Sequence, residues 1–202
     1  ISGSRNWGVW GRDFLTRYDP DPLRYYLTVN MPETRDTDWD WEDFLKRNND
    51  ELVATWGNLA NRVLAFTYKN FDGVVPEPGE LTSLDKELLE MIEGGFESVA
   101  RELEAVHMRA ALGEAMRLAG EVNRYLDQTA PWATIKQDRQ AAARAVYTAL
   151  RAIDSLKILL SPFLPFTSEK LHGYFGYTTP LFGTQGVRSE EHTSELQSRL
   201  HL

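Results

Sequence analysis

Apolar residues recurring three and four apart constrain the fold of this chain more than any other feature. Leu52, Trp56, Leu59, Val63 and Phe66 repeat at spacings of four, three, four and three. Met108, Leu112, Ala115, Ala119, Val122 and Leu126 form a second stripe, and Val146, Leu150, Ile153 and Leu160 a third. At about 3.6 residues per turn such positions share one side of a helix, whereas a strand would need strict alternation. No convincing strand pattern is present. The punctuation then predicts where each helix starts and stops. Asp40 is a plausible N-cap with Asp43 in the first turn, opening a helix that runs to about Phe71. Gly57 inside it costs about 1 kcal/mol relative to Ala and predicts a kink or close packing. Asp72, Gly73, Pro76, Pro78 and Gly79 make a loop. Thr82 and Asp85 have capping-box spacing and open a helix to about Glu104, with Gly94 and Gly95 as its weak point. The next helix starts near Met108 and ends before Pro131. Another begins near Asp138 and is broken by Pro162 and Pro165, and a short one spans about Thr167 to Tyr174. Upstream, Asp21 with Pro22 predicts a short helix carrying residues 23–27, ended by Pro32. The expected fold is all-α: an antiparallel bundle of four to five amphipathic helices.

Composition narrows the functions such a bundle can serve. The 202 residues suffice for a real core, and 42% hydrophobic with 26% charged is ordinary for a globular domain. Cysteine is absent, which removes disulfides and thiolate metal sites, and His107, His172, His192 and His201 show no metal-ligand spacing, so no metal site is expected. No apolar run approaches the length of a membrane span, and no membrane partner is expected. The formal net charge of −8 argues against general nucleic-acid adhesion and leaves room for a local basic site.

Two groups of residues stand out chemically. Trp132 follows Ala130 and Pro131 at the end of a helical stretch. Asn58 and Arg62 stand four apart, on one face of the predicted helix. An indole to stack on, an amide to read base edges and a guanidinium for phosphate or base contacts suit unpaired RNA bases. Each residue also has a plainer role: the Trp as a core plug, the Asn and Arg as a solvated polar pair. The remaining candidates read as structural. His107 is expected to be partly exposed and His172 to lie at the surface. Glu97, Glu102, Glu104 and the run Asp85, Lys86, Glu87 read as solvated helix faces. Trp7, Trp10, Trp39, Trp41 and Trp56 are expected to pack, and Arg24, beside Tyr25 and Tyr26, is expected in a structural role, the alternative being part of a junction that relays ligand binding to another part of the protein.

Ordered motifs add a family. Ile1-Ser2-Gly3-Ser4-Arg5-Asn6, Asp19-Pro-Asp-Pro-Leu-Arg-Tyr-Tyr-Leu27, Trp41-Glu-Asp-Phe44, Asn48-Asn-Asp-Glu-Leu52, Gly57-Asn-Leu-Ala-Asn-Arg62, Asn123 through Trp132 and Leu160-Ser-Pro-Phe-Leu-Pro-Phe166 occur in sequence. Over residues 1–175 the chain resembles the C-terminal part of methionyl-tRNA synthetases, class I aminoacyl-tRNA synthetases. The resemblance implies a ligase that activates methionine with ATP, with magnesium, and transfers it to tRNA. It implies a helical domain that reads the CAU anticodon of elongator and initiator methionine tRNAs in the cytoplasm. Asn58, Arg62 and Trp132 match the family's anticodon-reading positions, and Lys69, two turns on from Arg62, is a further candidate for phosphate contact. Ser2, Gly3 and Ser4 match the end of the catalytic K-M-S-K-S loop, with Gly3 where the second lysine would stand. The adenylation core is expected upstream of Ile1, so this stretch alone is expected to bind no cofactor and to be inactive. DNA is not an expected partner. The alternatives are another class I synthetase or a non-catalytic helical RNA-binding or interaction module.

The expected organisation is a connecting segment from the catalytic half over 1–39, a helical anticodon-binding domain over 40–180 and a disordered tail over 181–202. Within that tail, Arg188 to Arg199 resembles a translated sequencing adapter, so 188–202 is set aside from fold and function.

Overall fold

The computed structural model describes residues 9–33 and 36–182. Among these every regular element is helical, as the spacing requires. In chain order they are α1 (Gly11–Leu15), α2 (Pro20–Val29), α3 (Trp41–Arg47), a π-helical segment (Asn48–Gly57), α4 (Asn58–Phe71), α5 (Ser83–Glu104), α6 (Met108–Thr129), α7 (Pro131–Thr134), α8 (Arg139–Leu160) and α9 (Pro165–Tyr174). Helices α5, α6 and α8, each 22 residues and so about 33 Å long, pack on one another as the centre of the bundle. The most buried of the three is α8, with Ala142, Ala149, Leu150, Ala152, Ile153 and Leu156 fully enclosed. Both α4 and α7 lie against α8, while α2 and the π segment lie against α6.

The caps explain the boundaries. The Asp40 carboxylate accepts the Asp43 amide at 2.8 Å and starts α3. Thr82 and Asp85 complete a reciprocal capping box at α5, and Asp138 accepts the Ala141 amide at 2.9 Å to start α8. Asp72 adopts φ 54° and ends α4. A smaller aromatic cluster of Phe14, Tyr26 and Phe44, with Trp39 packed against it, joins α1, α2 and α3.

Several local expectations are corrected. The helix from Asp40 to Phe71 is not uniformly α: residues 48–57 widen into a π-helix. Asn123 of α6 donates to the Thr55 carbonyl at 2.9 Å, taking up an acceptor within the widened turns. Close packing does not explain Gly57, since a Cβ there would meet only the Leu52 carbonyl at 3.8 Å. Helix α2 starts at Pro20 after Asp19, not at Pro22. Asp21 is instead buried and accepts the Thr167 amide at 2.6 Å, tying α2 to α9. Helix α5 runs unbroken through Gly94 and Gly95.

Two presumed surface groups are also internal. Asp85 is 2% exposed because Tyr125 donates to it at 2.5 Å and Arg144 pairs with it at 3.2 Å. His172 is buried, stacks on Tyr177 at 4.2 Å and contacts the Thr179 carbonyl at 3.0 Å. Burial, with the nearby Lys157 cation, holds its pKa below the usual histidine value. Arg24 does take a structural role, donating to the Pro162 and Phe163 carbonyls at 2.8 and 3.1 Å. Trp56 is wholly buried, whereas Trp10 is exposed rather than packed. Trp41, about half exposed, still stacks on Phe14 at 6.2 Å. Trp7, Ser2, Gly3, Ser4, His192, His201 and the tail 183–202 lie outside the described residues.

Candidate nucleic-acid interface

Helix geometry places Asn58, Arg62, Ala65 and Lys69 within about 60° of one another around α4, and all four are exposed. This stripe is the opposite side of the helix from Leu59, Val63 and Thr67, which are buried. The amphipathic pattern that seats α4 on α8 therefore also directs Asn58, Arg62 and Lys69 to solvent.

Trp132 reaches the same surface from 70 residues further along. Helix α6 ends at Ala130 in the left-handed conformation, φ 36°. Pro131 then starts α7, where its missing amide proton costs nothing. The Thr134 hydroxyl donates to the Thr129 and Ala130 carbonyls at 3.0 and 3.1 Å and fixes this turn. A non-glycine residue at positive φ is uncommon and concentrates at functional turns. Its consequence here is orientation: Trp132 is half-buried, packed against the core along one part of its surface. The Arg62 guanidinium carbon lies 4.3 Å from the centroid of the indole ring.

The structure thus brings Arg62 and Trp132 into contact. Asn58 lies one turn before Arg62 and Lys69 two turns after, on the same stripe. Three residues that sequence reasoning had not singled out as site members complete the surface. Phe66 meets Trp132 edge to face, with centroids 6.5 Å apart and planes at 86°. Phe71 lies 6.3 Å from Phe66. The Arg139 guanidinium lies 4.9 Å from the Phe71 ring and donates to the Asn70 carbonyl at 2.7 Å. The available signal was weak: Phe66 falls four residues after Arg62, but the apolar stripe already accounted for it as core.

The local charge opposes that of the whole chain. Over residues 58–72 and 131–139 there are four cations, Arg62, Lys69, Lys136 and Arg139, against two carboxylates, Asp72 and Asp138, while the chain carries −8. An aromatic face flanked by cations and an amide can stack a flat ring, donate to its edges and attract a phosphate. No cluster of potential metal ligands occurs among the described residues, and none of their helices is long and apolar enough to cross a membrane. A cleft of about 480 Å³ lined by Asp21, Trp56, Phe166 and Lys170 lies elsewhere and shares no residue with this surface.

Comparison with known proteins identifies the family. Residues 1–64 match the family model for class I tRNA synthetases (M), and residues 75–192 match that for the anticodon binding domain of methionyl tRNA ligase. The methionine–tRNA ligase of Thermomicrobium roseum is 57% identical over 183 residues, 91% of this chain and 31% of that protein. That of Chloroflexus aurantiacus is 50% identical over 201 residues, 100% of this chain and 33% of that protein. Among solved structures, Mycobacterium tuberculosis methionyl-tRNA synthetase in complex with methionyl-adenylate superposes with a TM-score of 0.81 at 26% identity, covering 98% of this chain and 38% of that one. The chain spans about a third of the length of the curated relatives it matches. These matches set aside both another class I synthetase and an unrelated helical module. The chain belongs to the methionyl-tRNA ligase family and carries that family's anticodon-binding domain.

Proposed function

We propose that this chain is the tRNA-reading part of a ligase that attaches methionine to tRNA, and that Trp132, Arg62 and Asn58 grip the CAU anticodon of elongator and initiator methionine tRNAs. The observation that carries the reading is the Arg62 guanidinium resting on the Trp132 indole, on an exposed, locally basic surface. Trp132 supplies a stacking face worth about 1–3 kcal/mol per base. Asn58 both donates and accepts, so it discriminates base edges, while Arg62 donates only and suits carbonyl and phosphate oxygens. Lys69, in the last turn of α4, offers a point charge to the backbone. Unpaired bases in an RNA loop suit this surface because their faces and edges are both free. A DNA duplex hides the faces in its stack and the Watson–Crick edges in its pairs.

The other roles follow from the family. Residues 1–39 belong with the catalytic half, 40–180 with anticodon binding, and the adenylation core with the further length seen in the relatives. The solved methionyl-tRNA synthetase with methionyl-adenylate supports ATP as the co-substrate of the whole enzyme; magnesium as its counter-ion and action in the cytoplasm belong to the same proposal. Ser2 and Ser4 would offer hydroxyl donors beside the ATP phosphates, and Gly3 leaves the second loop lysine's charge to another cation. By itself this chain binds RNA and does not aminoacylate.

The test compares two activities of the full-length enzyme. Trp132→Ala should weaken tRNA charging by about fivefold to a hundredfold, the loss of one stacked base, while ATP–pyrophosphate exchange stays near the wild-type rate. Equal losses in both assays would reduce Trp132 to a structural residue.

A further inference from the structure

In this structure the stacking face of Trp132 is already covered. One part of the indole packs on the core, and the guanidinium of Arg62 lies over the ring at 4.3 Å. Among the described residues the Arg62 side chain makes no hydrogen bond or ion pair, and the indole is its ring partner. All five of its N–H donors are therefore without a partner among the described residues. A base that stacks on Trp132 needs the place that Arg62 holds.

We propose that Arg62 is a specificity-determining gate on Trp132: an incoming nucleotide base displaces the guanidinium from the indole, and the displaced guanidinium then donates to that same nucleotide. The inference rests on the RNA-binding reading above and deepens it. Magnitudes favour exchange over a sandwich with the arginine left in place. A cation at an exposed aromatic face is worth a factor of about two to five, and base–aromatic stacking a factor of about five to a hundred. The base wins the face, and Arg62 loses little because its donors were not otherwise engaged.

The exchange also selects among ligands. An apolar side chain that displaced Arg62 would return nothing to the guanidinium, whereas a nucleotide offers it carbonyl and phosphate oxygens. The gate thus shields a half-buried tryptophan from indiscriminate apolar partners. It yields most readily to a ligand that combines a flat ring with acceptors beside it. Phe66, edge-on to the indole at 6.5 Å, steadies the ring while its covering changes.

Nuclear magnetic resonance on the 202-residue chain, with labelled arginine and tryptophan, tests this directly. In the free protein the Arg62 Nε–H resonance should be shifted upfield by the indole ring current relative to the same resonance in Trp132→Leu. Saturation with a stem-loop RNA bearing a CAU loop should abolish that shift. Stem-loop bound with the shift retained would overturn the gate and leave the RNA-binding reading intact. No binding of the stem-loop would defeat that reading and the gate with it. A second measurement uses free indole, which is flat, neutral and gives a guanidinium no acceptor. Read at the Trp132 side-chain resonance, Arg62→Ala should bind free indole about two- to fivefold more tightly than wild type, yet bind the CAU stem-loop more weakly. Weaker or unchanged indole binding in Arg62→Ala would refute the gate.

Discussion

Adjacent glycines in α5 provide a test in which one chemical change should act with opposite signs. Gly94 is exposed, and a Cβ built on it meets nothing within 4 Å. Gly95 is buried, and its Cβ would fall 2.4 Å from Leu118 Cδ1 and 3.3 Å from Leu159 Cδ1. Each substitution to alanine gains about 1 kcal/mol of helix preference. At Gly94 nothing opposes that gain, so Gly94→Ala should raise the unfolding free energy by about 1 kcal/mol and Tm by about 2–4 °C. At Gly95 the methyl group displaces Leu118, which is fully buried and bounded by other core side chains. Overpacking of this kind costs about 1–3 kcal/mol, leaving Gly95→Ala neutral to destabilised by about 2 kcal/mol. The difference between the two variants isolates the packing cost, because the helix gain is common to both. Urea unfolding followed by circular dichroism measures it. A Gly95→Ala protein as stabilised as Gly94→Ala would show that α5 and α6 tolerate a wider separation than the structure has, and would refute the close-packing argument.

Two further outcomes concern the buried polar cluster between α8 and α9. Lys157 and Asp154 form an ion pair, both nearly inaccessible, with Tyr177 donating to Asp154 at 3.0 Å. Asp154→Ala should cost about 3–5 kcal/mol by leaving a buried cation unpaired, and adding Lys157→Met should recover most of it; urea titrations in which the double variant is no more stable than the single one would contradict this. His172 has its pKa lowered in the folded state by burial and by Lys157, so the unfolded chain binds the proton first on acidification. Stability should therefore fall as pH drops below about 6.5, by at most about 1.4 kcal/mol per pH unit, and His172→Gln should lose that part of the slope; identical slopes would refute the assignment.

The parts of the fold legible in the sequence are those set by neighbours along the chain. Asp40, the Thr82–Asp85 box and Asp138 cap helices where a local hydrogen bond requires it. The parts that were not legible depend on partners brought from a distance. Asp85 reads as solvated until Tyr125 and Arg144 reach it. Asp21 reads as a cap until the Thr167 amide meets it from α9. The π segment escapes because spacings of four and three describe α and slightly widened turns alike. At the candidate site, resemblance to the family singles out Asn58, Arg62 and Trp132 as candidates. The contact of Arg62 with Trp132 was not legible, because 70 residues separate them. Phe66, Phe71 and Arg139 carry no polar signature that separates them from core and surface.

The position of α8 explains how such separated residues hold a fixed arrangement. Its N-terminal half presents Ala142, Ala143, Ala145 and Ala149 to the interior, all buried. Small side chains there let both α4 and α7 approach the same helix. Arg139, the first residue of α8, then fastens the end of α4 through the Asn70 carbonyl. The helix carrying Arg62 and the turn carrying Trp132 are thus referenced to one rigid element rather than to each other through a loop. Surfaces ordered before binding lose less conformational freedom when a ligand arrives. Enlarging this seat, without touching any residue of the candidate surface, should therefore separate indole from guanidinium and loosen both.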